Sequence, residues 1–368
     1  MSTPADTLEE CCGQAGKPAR LASLDALRGL DMLIIAGLDT LVYAIAKAAP
    51  DSTVAQGLRQ QLTHVDWEGL VAYDLVFPLF VFLAGASMRL SLVRRAKQGL
   101  GWPRLLGKMW MRAAVLVVLG WAVNGVVSLD SGMRCASVLG LIGISGALAG
   151  SLALLLRRNA LSCAVCGAAI LLAVGLCQHL GGDYTVAGSF NARVDALLCP
   201  GHLYRAEFDP EGPLCIVSAT ALCLFGFAGG SLLSLPVRKG LGLMAAAGVA
   251  LIAASMFLPC IKNIWTAGFV LAAAGVCSLL LALFHLLLDI LPWRKWAFPL
   301  RVIGCNALFL YLLINLLPVE NLAHRISCGV WQSLLEPQWL PVAHAATALL
   351  LVWLVALFLY RRKVFIKL

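Results

Sequence analysis

The residues of this chain best suited to moving a proton are His64 and Asp74, ten positions apart in LTHVDWEGLVAYDLVFPLFVFLAGAS. A carboxylate beside an imidazole fixes its tautomer and raises its basicity, and an imidazole titrates near neutral pH. The preceding apolar stretch, ASLDALRGLDMLIIAGLDTLVYAIAK, carries Asp25, Arg28, Asp31 and Asp39. Ionisable side chains inside apolar helices are costly and are functional candidates by default. Helical spacing places Asp25 and Arg28 on one face and puts Asp39 about 16 Å beyond Arg28. If the next span runs antiparallel, Asp74 lies about two turns from its start, at a depth similar to Asp39, with His64 at the rim above. Two plainer readings stand beside this one: a solvated rim histidine, and an Asp25–Arg28 pair that is only an interfacial ion pair.

Weaker polar signals follow. Lys262, Asn263 and Trp265 in PCIKNIWTAGF sit at the entrance of a later span, either as interfacial belt or as the lining of a mouth. Asn306, in RVIGCNALFLYLL, lies mid-span, where an amide commonly bonds a neighbouring helix. Cysteines and histidines show no metal-ligand spacing outside Cys163 and Cys166, which fall in an apolar run, so no metal site is expected.

The elements that must hold these residues are membrane helices. The chain has 368 residues, 61% hydrophobic and only 13% charged, where a soluble domain carries about 25% charged. Apolar runs near the length needed to cross about 30 Å of hydrocarbon recur throughout. Lipid leaves no water for backbone groups, and runs that do not alternate exclude a barrel. The expectation is an all-α polytopic bundle of ten spans, at 22–46, 68–91, 109–128, 135–156, 160–180, 214–234, 241–258, 265–290, 300–318 and 341–360.

Lys and Arg accumulate on the cytoplasmic side of membrane proteins. With the N-terminus inside, 21 of the 28 Lys and Arg fall on that side of the ten spans, and only Lys47, Arg59, Arg134, Arg193, Arg205, Lys262 and Arg325 fall outside. The net charge of +9 is thereby a topology signal, with no nucleic acid implied. Both termini are expected to be cytoplasmic. Residues 1–20 lack an apolar h-region and read as a cytoplasmic tail, leaving 21–368 as one transmembrane domain. The long connection at 181–213 is expected on the outer face, either as passive surface or as a substrate-facing wall. Cys199 and Cys215 flank its second half and could pair in an oxidising compartment.

Several stretches resemble the heparan-α-glucosaminide N-acetyltransferase family, in its bacterial branch. They are SLDALRGLDM at 23–32 with GLD at 37–39, QLTHVDWEGLVAYDLVFPLFVFLAGASM at 61–88, HLYRAEFDPEGPL at 202–214, PCIKNIWTAGFVL at 259–271 and GCNALFLYL at 304–312. They occur in order over about 300 residues. The resemblance implies a transmembrane acyltransferase fold in a bacterial inner membrane and a homodimer. It also implies acetyl transfer from cytosolic acetyl-CoA to a glucosamine amine across the membrane. The family's catalytic histidine stands in H-x-x-W-x-G, here His64, Trp67 and Gly69. Where lysosomal members carry an asparagine late in the first helix, this chain has Asp39, better suited to orienting His64 or the amine than to donating to an oxyanion. The lysosomal members' large lumenal domain has no counterpart in the sequence, so a heparan polymer is not the expected acceptor.

On this reading Arg28, Arg94 and Arg95, with Asp25 beside Arg28, are candidates to hold the nucleotide phosphates. Lys262, Trp265 and Asn306 would line the acyl-donor path, with Lys262 or Asn306 stabilising the oxyanion. His64 acts either as general base or as a transient acetyl carrier. The alternatives are a membrane O-acyltransferase of surface glycans, which shares an Asp-x-x-Arg-Gly motif in its first helix, and a solute transporter.

Overall fold

The computed structural model describes residues 21–125, 134–291 and 293–366, with the backbone alone at Lys97. The expected tail at 1–20 lies outside the described residues. Among the described residues no strand forms, and nine helices are long and apolar enough to cross a membrane, ten if one bent pair counts as a span. The chain is an all-α polytopic membrane protein. It divides into two compact units, Met1–Arg59 with Leu283–Leu368, and Gln60–Ala282.

In the unit formed by the two chain ends, α1 (Ala22–Leu33) continues through a wider π turn (Ile34–Leu38) into α2 (Asp39–Ala48), and α3 (Thr53–Gln61) follows. The start of α1 is capped from far along the chain. Asp289 Oδ1 accepts the Ala22 N–H at 2.9 Å, while its Oδ2 meets His285 Nδ1 at 2.9 Å. A carboxylate there satisfies orphan donors and complements the helix dipole.

The second unit contains α4 (Val76–Lys97), α5 (Trp102–Val123), α6 (Val138–Leu155), α7 (Ala160–Gly181), the short α8 (Phe190–Leu198), α9 (Pro213–Leu232), α10 (Val237–Ser255) and α11 (Ala267–Phe284). Helix α9 is its axis, packing against α4, α6 and α7, and is buried almost continuously from Ser218 to Gly230. Small residues make this possible. A Cβ on Gly226 would overlap the Phe82 carbonyl, and one on Gly85 would overlap the Cys223 carbonyl. Backbones that approach this closely gain dispersion contact in a medium that offers no hydrophobic drive. Consecutive spans alternate in direction, so the basic residues of 89–112, 157–158 and 238–239 gather at one end of this unit. The connections at 62–75, 181–213 and 259–266 gather at the other.

The remaining helices of the first unit are α12 (Phe298–Gly304), α13 (Ala307–Leu316), α14 (Val319–Leu334) and α15 (Leu340–Arg361). The third and ninth spans differ from the sequence reading. The third span begins at Trp102 rather than 109, because Gly101 and Pro103 start the helix and Arg104 and Lys108 lie within its first turns. The stretch expected as one span at 300–318 is bent by 73° between α12 and α13. At the break Asn306 leaves helical geometry, donates to the Val364 carbonyl at 3.0 Å and accepts the Ile366 N–H at 2.9 Å. Its amide thereby ties the bend to the segment after α15.

Candidate active site

The site lies within the second unit, where two non-helical segments meet. Residues 62–71 run without regular structure into a 3₁₀ turn, Ala72–Leu75, that leads into α4. The sequence reading began this span at 68 and put Asp74 two turns inside it. The span instead begins at Ala72, because residues 68 and 69 are paired with another chain segment. Glu68 and Ile261 form an isolated antiparallel bridge, and the Gly69 N–H donates to the Cys260 carbonyl at 2.9 Å. Gly69 has φ +130°, a conformation that side chains rarely adopt. Trp67 Nε1 donates to the Tyr184 carbonyl at 2.7 Å, and its ring meets Phe208 edge-on at 5.4 Å. The spacing of His64, Trp67 and Gly69 is thus a local device: tryptophan anchors the loop to the 181–213 connection, and glycine turns it onto the 260–261 strand-like pair.

That register brings three ionisable side chains together. His64 Nδ1 lies 2.7 Å from Asp74 Oδ1, and Lys262 Nζ lies 3.1 Å from the same oxygen. Lys262 Nζ is also 2.9 Å from His64 Nδ1 and 3.3 Å from Nε2. Asp74 Oδ2 accepts the Val71 N–H at 3.3 Å. The Asp74 side chain is 1% exposed and that of His64 is 47% exposed. A buried carboxylate therefore grips one ring nitrogen from below and leaves the imidazole accessible above. This favours the tautomer with the proton on Nδ1 and a basic lone pair on Nε2. Tyr73 packs on the imidazole with centroids 4.4 Å apart. Burial pulls the Lys262 ammonium below the ordinary lysine range, with Asp74 acting in the opposite direction.

These groups open on a cavity of about 320 Å³ whose wall includes His64, Asp66, Lys262, Asn263, Trp265 and Phe269. That size falls within the range of small-ligand sites. Trp265 is 4% exposed and holds φ +47°, while Asn263 Nδ2 donates to the Asp66 carbonyl at 3.3 Å. The facing wall comes from the 181–213 connection and the start of α6: Arg134, Val138, Tyr204, Arg205, Pro210 and Glu211. Arg134 forks onto Asp209 at 2.8 and 2.6 Å, contacts Glu211, and lies 4.6 Å over the Tyr204 ring. The sequence reading did not single out Arg134, Tyr204 or Glu211. A signal was present, since three of the seven basic residues that escape the charge bias, Arg134, Arg205 and Lys262, line this cavity.

Other expected site residues lie elsewhere. Arg94 and Arg95 occupy the last turns of α4, at the basic end, with Arg94 exposed. In the other unit, Arg28 Nη1 pairs with Asp25 Oδ1 at 3.4 Å, and Asn306 is bonded as described above. Asp39 opens α2, accepts the Thr40 N–H at 2.7 Å, and lines a separate polar cavity with Asn315 and Glu320. Cys199 and Cys215 are free thiols rather than a disulfide. Cys215 is buried against Asn191 Nδ2 at 3.5 Å and the Asp209 carbonyl at 3.8 Å.

Beneath the cavity wall, Asp195 is fully buried and accepts the Asp209 N–H at 3.0 Å through Oδ2, while Oδ1 has no partner among the described residues. Burial pushes its pKa up to about 6, from an ordinary 3.8. Between these values the folded protein holds a proton that the unfolded chain has lost, so stability falls as pH rises from about 4 to about 6. That rise amounts to at most about 3 kcal/mol. Asp195→Asn keeps an oxygen for the Asp209 N–H and removes the charge. Its melting temperature in detergent is expected to exceed the parent's at pH 8, with the gain vanishing towards pH 4; a gain independent of pH would contradict this account.

No protein-family model matches the chain. It is 25% identical over 430 residues to a Homo sapiens protein named heparan-alpha-glucosaminide N-acetyltransferase, covering 95% of this chain and 60% of that protein. It is 31% identical over 101 residues to the Mus musculus protein of the same name, covering 27% of this chain and 13% of that one. This chain therefore spans about 60% of the length of the human relative. The likeness carried by separate motifs is thus part of a similarity to the human protein named heparan-alpha-glucosaminide N-acetyltransferase that extends along nearly all of this sequence.

Proposed function

We propose that this chain is a transmembrane N-acetyltransferase that carries an acetyl group from acetyl-CoA to the amine of a glucosamine-type sugar. The observation that carries the reading is the 2.7 Å contact between His64 and buried Asp74, set beside Lys262 in a cavity of small-ligand size. His64 Nε2 takes a proton from the neutral sugar amine as its nitrogen bonds to the thioester carbonyl carbon. The C–S bond then breaks, and the imidazolium returns a proton to the departing CoA sulfur. Lys262 supplies positive charge where the oxyanion develops, a role that gains strength in a site shielded from water. Asp74 orients the imidazole and balances its charge.

In this reading the basic end faces the cytosol and both termini lie there, in keeping with the charge bias. Arg94 and Arg95 hold CoA phosphates through their guanidinium forks, and Arg28, paired with Asp25, has no assigned step. Trp265 bounds the acyl path beside Lys262. Asp39 and Asn306 have no assigned step. The purified protein in proteoliposomes, given labelled acetyl-CoA, is expected to acetylate glucosamine and not N-acetylglucosamine. Transfer to both sugars would replace the proposal with an O-acyltransferase. Uptake of sugar without acetyl-CoA would replace it with a transporter.

A further inference from the structure

The turn that carries Lys262 is strained and is held from behind. Trp265 occupies the left-handed region at φ +47°, which a bulky residue holds only where its surroundings impose it. The Thr266 hydroxyl donates to the Pro259 carbonyl at 2.7 Å and accepts the Ile261 N–H at 3.0 Å, closing the loop at its base. The carbonyl just before Trp265, that of Ile264, takes two side-chain amides. Gln178 Nε2, from the end of α7, donates to it at 2.9 Å, and Asn191 Nδ2, from α8, donates at 3.2 Å. Gln178 Nε2 also donates to Asn191 Oδ1 at 2.9 Å, joining the two amides into one clamp.

Both residues are buried, Gln178 at 2% and Asn191 at 1% exposure, and neither lines the cavity. Buried amides are costly unless fully paired. Among the described residues Gln178 Oε1 has no hydrogen-bond partner, while its Nε2 donates to both Ile264 and Asn191.

We propose that Gln178 and Asn191 are positioning residues of the acetyl-transfer site, fixing the Ile264 carbonyl so that Lys262 is held against His64 and Asp74. The inference rests on the transferase reading above and concerns how its cation is placed. Neither amide touches substrate; each acts through the backbone two residues beyond Lys262.

The test is a double-mutant cycle on the full-length protein in proteoliposomes. Lys262→Met is expected to lower kcat about 100-fold. Gln178→Met is expected to lower it about 10-fold while leaving acetyl-CoA affinity unchanged, since small misplacements of a catalytic group are expensive. In the Lys262→Met background, Gln178→Met is expected to change kcat by less than about twofold, because its effect has no other route. Asn191→Asp, which cannot donate to the carbonyl, is expected to behave likewise. A loss that multiplies fully in the double variant, or a Gln178→Met protein with parental kcat, overturns the proposal. A second readout does not need turnover. Labelling of Lys262 by an amine-reactive succinimidyl ester, followed by mass spectrometry, is expected to be several-fold faster in Gln178→Met than in the parent. Equal labelling rates also overturn it. If the parent shows no acetyl transfer, the transferase reading fails by itself, and the labelling rates still decide whether the clamp places Lys262.

Discussion

Replacing His64 with alanine is expected to cut acetyl transfer to glucosamine by about a thousandfold while leaving the protein folded and able to bind acetyl-CoA. General acid–base catalysis by a positioned side chain contributes about 10²–10⁴ in rate. On the proposed mechanism, His64 both removes a proton from the nucleophile and returns one to the leaving group. Little stability is at stake, because the side chain is half-exposed and its nearest partner, Asp74, keeps Lys262 at 3.1 Å and the Val71 N–H at 3.3 Å. The buried carboxylate is therefore not orphaned by the change. Melting temperature and acetyl-CoA binding by calorimetry would separate lost chemistry from lost structure. Acid quenching of the parent with labelled acetyl-CoA and no sugar distinguishes the two routes open to His64. Stoichiometric label on the protein, absent in His64→Ala, identifies an acetyl-imidazole intermediate, whereas none points to direct attack. Near-parental transfer by His64→Ala would remove this residue from the mechanism.

The fold was largely legible because its signal is additive over long windows. Twenty apolar residues in succession can be little else in lipid, and the ten expected spans overlap the observed helices, with the ninth bent. Legibility failed where one side chain acts across many residues. The break at Asn306 depends on a bond to Val364 and Ile366, some sixty residues away, and no local pattern encodes it. The site divides the same way. His64 and Asp74 were readable because both belong to one short stretch whose turn brings them together. That Lys262 shares the Asp74 oxygen depends on the Glu68–Ile261 bridge between distant segments. Gln178, Asn191 and Asp195 gave no sign at all. A buried amide and a surface amide are identical in sequence, and only the carbonyl they meet tells them apart.

Gly226→Val is expected to have the largest effect on the molecule as a whole, preventing recovery of folded protein or lowering its stability by more than about 3 kcal/mol. Overpacking a core typically costs about 1–3 kcal/mol when side chains can yield. Here the obstacle is backbone. A Cβ at Gly226 overlaps the Phe82 carbonyl, and the reciprocal contact between Gly85 and the Cys223 carbonyl lies next to it on the same seam. Neither helix can relieve the clash by changing a rotamer, so α4 and α9 must separate. Separation would open voids around Phe82 and Phe227, both fully buried, and voids there forfeit dispersion contacts that lipid does not replace. Against a net stability of about 5–15 kcal/mol, such a loss is large. It would also reach the site, because α4 follows directly from the turn bearing Asp74, while Lys262 enters on a different segment. The control is Gly242→Val in α10, where a Cβ meets nothing within 4 Å. It makes the same exchange of glycine for valine, with the same small gain of about 0.3 kcal/mol in helix propensity, without the crossing. Size-exclusion profiles and melting temperatures in detergent should place Gly242→Val near the parent and Gly226→Val far below it. Equal behaviour of the two variants would show that the α4–α9 approach is not what holds this unit together.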